Sequence, residues 1–434
     1  MKTACTTDTG NMLKTAPTKP RLPASAESRL WLPVALAGAI LMIMMGTRQT
    51  IGLFIRPVLD ATTMNIAEMS MALAIGQLMW GVFQPFFGAW ADKKGPFPVL
   101  VTGTLLLFCG QICTIWASSF LPMTLAQGIL SPAGHAVLSF SILIAIIGRR
   151  LPSDKMSVAG GVVNAGGSLG QFAFSPVVQA LISMKGYVGG LVFLAISSLT
   201  LLVPSWFLTR GSVESSQTAP VDMECGDESP GMKEQIRTAL RDRSYLLLHA
   251  GFFTCGFHVA FLTTHLPGEV SMCGHSASVS AVSISLIGLC NIAGSIMAGI
   301  LGKHFRMKYI LSALYGFRAL MIAVYLLSPK TELTFYIFAV TTGFTWLATV
   351  PPTAGIVGKL YGTRYLATLF GLTFLTHQIG GFLGAWLGGL AIQTSGSLLW
   401  VWYIDIALAA IAALVNLPIR EEKPRARPVA GHAG

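Results

Sequence analysis

The stretch GAWADKKGPFPVL, residues 88–100, holds the only Asp, Glu, Lys or Arg found between Glu68 and Arg149. Its three charges, Asp92, Lys93 and Lys94, sit side by side between Gly88 and Gly95, with long apolar runs before and after. A hydrocarbon core of about 30 Å is crossed by ~20 apolar residues in a helix, and the runs on either side meet that length. The stretch therefore reads as a tight polar turn between two membrane-spanning helices, with its glycines permitting close backbone packing.

The rest of the chain follows the same pattern. Of its 434 residues 53% are hydrophobic and 11% charged, against about 25% charged in soluble domains. The net charge of +11 does not point to nucleic acid, which needs lysine and arginine gathered on one exposed face; here they lie between apolar runs. Seven cysteines lie mostly within those runs, Cys109 and Cys113 one turn apart on a shared face. Without CxxC or zinc-type Cys/His spacing they read as buried thiols, not as a disulfide framework or metal site. HExxH and Walker motifs are absent, and no histidine has an evident acidic partner in the sequence, which speaks against a membrane enzyme. No cofactor is expected.

Twelve stretches qualify as spans: 31–55, 70–91, 97–117, 121–147, 157–183, 187–208, 245–266, 277–301, 308–327, 332–357, 366–392 and 399–418. The expected fold class is thus an all-α integral membrane protein, with twelve transmembrane helices in two pseudo-symmetric six-helix bundles. Residues 1–30 form a polar, proline-bearing tail that reads as flexible and not as a signal peptide. The bundles are expected at 31–208 and 245–418, joined by a cytoplasmic linker at 209–244 with a basic surface helix in KEQIRTALRDR, and followed by a tail at 419–434. With the amino terminus inside, 24 of the 29 basic residues fall on the cytoplasmic side, as the positive-inside rule requires. Both termini are then cytoplasmic. Short loops without extramembrane domains suggest a bacterial inner membrane and a monomer.

The two halves repeat one another. GGSLG at 166–170 returns as GGFLG at 380–384, and the opening turn returns as GILGKHFR, with Gly299 answering Gly88. Such repeats predict a central cavity between two similar bundles. Gly88, Asp92, Lys93 and Gly95 match G-x-x-x-D-[RK]-x-G, and the chain beyond residue 30 resembles the major facilitator superfamily. RQTIGLF at 48–54 and THQIGGFLGAWLGG at 376–389 are similar to its bacterial monocarboxylate-porter-like branch. The resemblance implies alternating access, in which the halves rock about a midplane site. It also implies a conformational latch at Asp92 that favours the outward-facing state. Pro96-Phe97-Pro98 replaces the family's usual basic pair after Gly95, and Lys303 stands where the second half would carry the acid, so a one-sided latch is expected.

Ionisable groups within spans are functional candidates because inserting them costs roughly 2.5–3.5 kcal/mol for an arginine at a helix centre. Arg48 lies about 26 Å along span one at ~1.5 Å per residue, as a substrate or gate contact or as a snorkelling anchor. His258, near the repeat position of Arg48, reads as a substrate- or proton-binding group or a packing histidine. His377, beside Gln378 in the span-eleven signature, has the same two readings, and His135 in span four is either kink packing or a ligand contact. Gln378, Asn164, Gln171 and Asn291 either bind solute or join helices. Arg318 and Asp405 read as structural, with a loose possibility that they pair. The ladders Gly166/Gly170 and Gly380/Gly384/Gly388 signal close helix approach, and spans five and eleven are expected to slide at the interface between the halves.

Cavity spans that offer Arg and His but no carboxylate favour anions over cations. The expectation is a secondary transporter of small organic anions, plausibly monocarboxylates, working as a proton symporter or an exchanger. Its partners are then an anionic small molecule, with a proton as a candidate companion, and the lipid bilayer. In the related oxalate:formate exchangers the family pattern has a basic residue on each of spans eight and eleven. Span eight has none here, which favours singly charged acids. The alternatives are a drug or metabolite exporter of the same superfamily, whose span-five Gly-Pro pair and span-one acid are missing, or a sensor that binds without transporting.

Overall fold

The computed structural model describes residues 24–148, 150–151, 155–210, 231–362 and 365–421. The expected tails and linker fall largely outside the described residues, as 1–23, 211–230 and 422–434. Everything regular among the described residues is helix. The first half comprises α1 (Ala24–Gln49), α2 (Gly52–Ala61), α3 (Ile66–Lys94), α4 (Pro96–Ile115), α5 (Phe120–Met123), a π turn (Thr124–Leu130), α6 (Ser131–Val137), α7 (Phe140–Gly148), α8 (Met156–Leu199) and α9 (Leu202–Thr209). A short helix, α10 (Met232–Ala239), coincides with the expected basic surface helix. The second half comprises α11 (Arg243–Met272), α12 (Ala277–His304), α13 (Met307–Leu327), α14 (Glu332–Thr345), α15 (Val350–Tyr361), α16 (Leu366–Ser395) and α17 (Leu399–Asn416).

Ten stretches among the described residues are long and apolar enough to cross a membrane. One of them, Val158–Thr209, holds two crossings, because α8 turns back at Gly186, where φ is 70° and ψ 177°. The 30-residue α16, diluted in hydropathy by Thr376-His377-Gln378 and its glycines, supplies the other. Twelve crossings result, in the order the sequence predicts. Span four is built from α5, the π turn, α6 and α7, and span ten from α14 and α15 with a break at 346–349.

The opening stretch is the tightest of the joins. Gly95 alone links α3 to α4, at φ 83° and ψ 161°, a backbone region closed to side chains with a Cβ. Pro96 then starts α4 with its φ already suited to the first helical turn. At the far end of α3, Asn65 and Glu68 form a reciprocal capping box. Lys93 and Lys94 are exposed, and the Asp92 side chain lies outside the described residues.

The glycine ladders set how each half is built. A Cβ on Gly166 would lie 2.4 Å from Gly38 O, and on Gly170 1.9 Å from Met42 O. In the second half a Cβ on Gly380 would lie 2.1 Å from Phe253 O, and on Gly384 2.2 Å from Phe257 O. Each ladder thus seats span five on span one, or span eleven on span seven, backbone to backbone, as small residues do in membranes. This corrects the sequence expectation that the ladders form the sliding surface: they face inward, within their own half. The surface between halves uses the other sides of the same helices, where Gly381 meets Gln77 and Gly389 meets Ser70.

Those inter-half contacts are confined to one end of the molecule. Taking the face that bears the start of α1 and the end of α17 as the terminal face, α3 and α16 touch from Ser70/Gly389 down to Gly81/Gln378. Two turns further toward the terminal face, on the same sides, Gly88 and Gly371 would have nothing within 4 Å of an added Cβ. Spans five and eight behave alike. Ser168 and Gln171 meet Gly288, whereas Gly161 and Gly299, toward the terminal face, meet nothing within 4 Å. The packed core agrees: far-face residues of the first half, among them Leu53, Met69 and Phe174, belong to the cluster that fills the second half. Its terminal-face residues, among them Val34, Leu100 and Ile142, form a separate cluster. The halves are closed at the far face and apart at the terminal face.

Overpacking a close helix contact costs ~1–3 kcal/mol in soluble cores. Gly170→Ala is expected to lower the thermal midpoint of detergent-purified protein and its yield of monodisperse material by size-exclusion chromatography. Gly161→Ala, on the same helix but facing open space, should leave both unchanged.

Candidate functional site

Arg48 ends α1 at the place where the two halves meet. Its guanidinium donates to Gln77 Oε1 and lies 3.8 Å from the ring centroid of Trp80. Gln77 and Trp80 are three residues apart on α3, hence on one face. Arg48 is partly exposed, and among the described residues no carboxylate forms an ion pair with it. It opens onto a cavity of about 30 Å³ lined by Thr47, Gln77, Gln127, His135, Thr263 and others, in which Arg48 is the sole fixed charge. A space of this size is large enough to admit water, which needs about 10–15 Å³ of it. The site mixes polar groups with Ile51, Leu73 and Pro132 and carries one cation without an acidic partner among the described residues.

A row of rings leads from Arg48 into the second half. Trp80 meets Phe374 edge-on with centroids 5.1 Å apart, Phe374 stacks on His377 at 5.4 Å, and His377 meets Phe252 at 4.8 Å. Gln378 closes the seam: its Cγ would stand 3.0 Å from a Cβ on Gly81, and its buried amide Nε2 has no partner. His377 Nδ1 lies 3.2 Å from Gln378 Oε1. The structure therefore gathers Arg48 and Gln378 around one junction and sets His377 two rings away from the cation.

The neutral candidates separate into two kinds. Gln171 Nε2 donates to Ile284 O at 3.2 Å, and Asn291 Nδ2 donates to Ser168 Oγ at 2.8 Å. Both join α8 to α12 across the halves, the helix-joining alternative of the sequence reading. Asn164 is half-buried on α8, one turn beyond that seam toward the terminal face.

His258 is not part of this junction. It is 0% exposed, and its Nδ1 lies 2.6 Å from Asp405 Oδ2, also 0% exposed, with Trp346 at its edge. The reading that no histidine has an acidic partner is corrected here; 147 residues separate the two, and α11 and α17 bring them together. Nor is His258 the counterpart of Arg48. The ladders pair Gly38 with Phe253 and Met42 with Phe257, so Thr263 answers Arg48, and Thr263 lines the Arg48 cavity, its hydroxyl donating to Val259 O at 2.6 Å and standing 3.4 Å from Gln49 Oε1 across the seam. Arg318 does not pair with Asp405 by a direct bond among those described. Its Nη2 donates to Thr345 O and to Trp346 O, carbonyls freed where α14 breaks before α15. Cys109 and Cys113, expected as buried, are exposed on the outer face of α4.

Sequence reasoning passed over Gln77, Trp80 and Thr263, and left His135 undecided. Two signals were available: the Gln77-x-x-Trp80 spacing, and the ladder offset, which points from Arg48 to Thr263.

Two six-crossing halves, open at one face and closed at the other around a small polar junction, define a carrier of the alternating-access type. The Major Facilitator Superfamily model matches residues 36–385, and the chain belongs to that family of transporters. It is similar to monocarboxylate transporter 13 of Rattus norvegicus, with 25% identity over 89% of each chain. It is similar also to the oxalate:formate antiporter of Oxalobacter formigenes, with 21% identity over 89% of each. The uncharacterized MFS-type transporter YcxA of Bacillus subtilis (strain 168) matches at 20% identity, over 88% of this chain and 92% of its own length.

Leaving one member of a buried hydrogen-bonded pair without its partner costs about 1–3 kcal/mol, and more where the group is charged. Asp405→Ala is accordingly expected to lower thermal stability sharply, and Asp405→Leu combined with His258→Leu to recover part of the loss. Differential scanning fluorimetry of the purified variants measures both.

Proposed function

We propose that this chain is a secondary carrier of small organic anions, singly charged carboxylates first among them, with Arg48 as the carboxylate-binding residue. One observation supports this above the others: Arg48 stands at the junction of the halves with no acidic partner among the described residues, stabilised only by an amide oxygen and a π face. Arginine presents paired donors that match a carboxylate, and a carboxylate arriving there would exchange water for a full counter-charge. One cation suits one negative charge. Two of the relatives are named for monocarboxylate and for oxalate:formate transport, in keeping with this reading.

Gln77 and Gln378 would complete the solute's contacts from either half, while His377, behind Phe374, would sense the solute through the ring row. Asn164 would meet it in the open passage, and Gln171 and Asn291 would hold the far-face seam that must part when the carrier turns. The chain ends are assigned to the cytoplasm, so the state described opens inward. In that state the turn Gly88–Gly95 is disengaged, and Asp92 would act in the opposite state. The membrane assigned is a bacterial inner membrane.

Purified protein in liposomes, offered radiolabelled monocarboxylates, dicarboxylates and cationic dyes, tests the reading. Monocarboxylate counterflow is expected; dye accumulation that carboxylates do not compete with would instead identify an exporter. Arg48→Gln should reduce flux by about tenfold to a hundredfold, on the scale of ~1.5–3 kcal/mol for a hydrogen bond to a charged group. Unchanged kinetics would make Arg48 an anchor. Asp92→Asn should enrich the inward-open state, read as faster maleimide labelling of a cysteine placed at Gly161; equal rates would remove the latch.

A further inference from the structure

His135 shares the Arg48 cavity, and its surroundings fix its hydrogen. It belongs to α6, which lies against α4 so closely that a Cβ on Gly134 would be 2.7 Å from Gly103 O. The neighbouring His135 ring turns to α1, where Nε2 lies 3.4 Å from Thr47 Oγ1. The Thr47 hydroxyl has one hydrogen, and it is donated to Met44 O at 2.7 Å. Thr47 can then only accept from the imidazole, so Nε2 carries the hydrogen and Nδ1 the lone pair. Nδ1 is buried and no protein donor reaches it.

The charged surroundings are equally simple. From α1 the cavity receives Arg48; from α3, Gln77; from the π turn, Gln127; from α4, Gln111; from α11, Thr263 and Thr264. The other ionisable groups of α3 are Glu68 in its first turn and Asp92, Lys93 and Lys94 in its last. The α4 thiols, Cys109 and Cys113, are exposed on its outer surface. His265 of α11 turns away, bonding Ala385 O at 2.7 Å. Arg48 is thus the charge that governs His135. Two cations around one small cavity repel strongly where water is scarce, and an anion lodged against Arg48 removes that repulsion.

We propose that His135 is the residue that carries a co-transported proton, taking it on the Nδ1 lone pair when an anion sits against Arg48. This rests on the anion reading above. The step forms one N–H bond with a proton from the aqueous side and releases it to the other side when the anion leaves; nothing is oxidised or reduced. Empty, the site holds the single charge of Arg48. Loaded with one monoanion and one proton it holds the same charge, so both legs of the cycle move equal charge and transport is electroneutral.

The test uses proteoliposomes containing the internal pH dye pyranine, with lactate, pyruvate and formate as probes. Wild-type protein is expected to show radiolabelled counterflow and internal acidification on external addition of the anion, above protein-free vesicles. His135→Gln should lose acidification and accumulation driven by a pH gradient, and should lose much less of its counterflow, because exchange of anion for anion needs no net proton. If the variant keeps both, the proton travels elsewhere and the inference is overturned. If wild-type protein shows no counterflow with any probe, the anion reading itself fails, and the role of His135 with it. Should the variant lose counterflow, nitrogen NMR of histidine-labelled wild type decides. Addition of lactate is expected to move the His135 Nδ1 resonance from the lone-pair to the N–H range, and a stationary resonance overturns the proposal.

Discussion

A cation inside a helical bundle must find compensation from the protein, because hydrocarbon offers none. Two guanidinium groups face this constraint, and one imidazole faces it only when protonated; each meets it differently. His258 is closed onto Asp405. Arg318 is spent on the carbonyls that the break in span ten leaves without helical partners. Arg48 has only Gln77 and the face of Trp80, and it alone borders the cavity between the halves. The first two arrangements hold the second half together. The third leaves a full positive charge available to a solute.

The same scarcity of water explains the character of the seam. Where the halves touch, the side-chain bonds among the described residues are neutral, as in Gln171 to Ile284 O, Ser285 to Phe172 O and Asn291 to Ser168. Each such bond contributes about 0.5–1.5 kcal/mol net, and the rest is contact between glycine-bearing helix faces. An interface of this kind closes well and parts at modest cost. Inside each half, by contrast, the ladder glycines bring backbones together along whole helices. Packing that runs through each half at both faces, with contact between halves confined to the far face, is what rigid-body rocking demands.

Much of this was legible in the sequence. The twelve crossings, the tight turn at Gly95, the repeat and the candidacy of Arg48 follow from apolar run length, the dihedral needs of glycine and the cost of burying charge. The partners of the buried charges did not follow. His258 and Asp405 lie on helices whose contact depends on bundle topology, and a span has no strong amphipathic periodicity from which a facing residue could be read. The ladder spacing gave close approach but not its direction, because span eleven has glycines on two sides: Gly380 and Gly384 toward α11, Gly381 and Gly389 toward α3. His135 stayed ambiguous for a related reason. Its meaning depends on where the hydrogen of Thr47 goes.

The repeat also shows where the two halves have diverged. The ladder correspondence sets Thr263 opposite Arg48, so the pseudo-twofold position that could have carried a second cation carries a hydroxyl instead. A guanidinium on both sides of the seam would repel its twin whenever the halves close without solute, and would bind a doubly charged solute when they close with one. With charge on one side only, the closed empty state is tolerable and, on the proposed reading, a single carboxylate would neutralise it. The second half brings no charge of its own to the cavity, since Arg318 bonds the carbonyls of the span-ten break and His258 bonds Asp405, both away from the cavity lining.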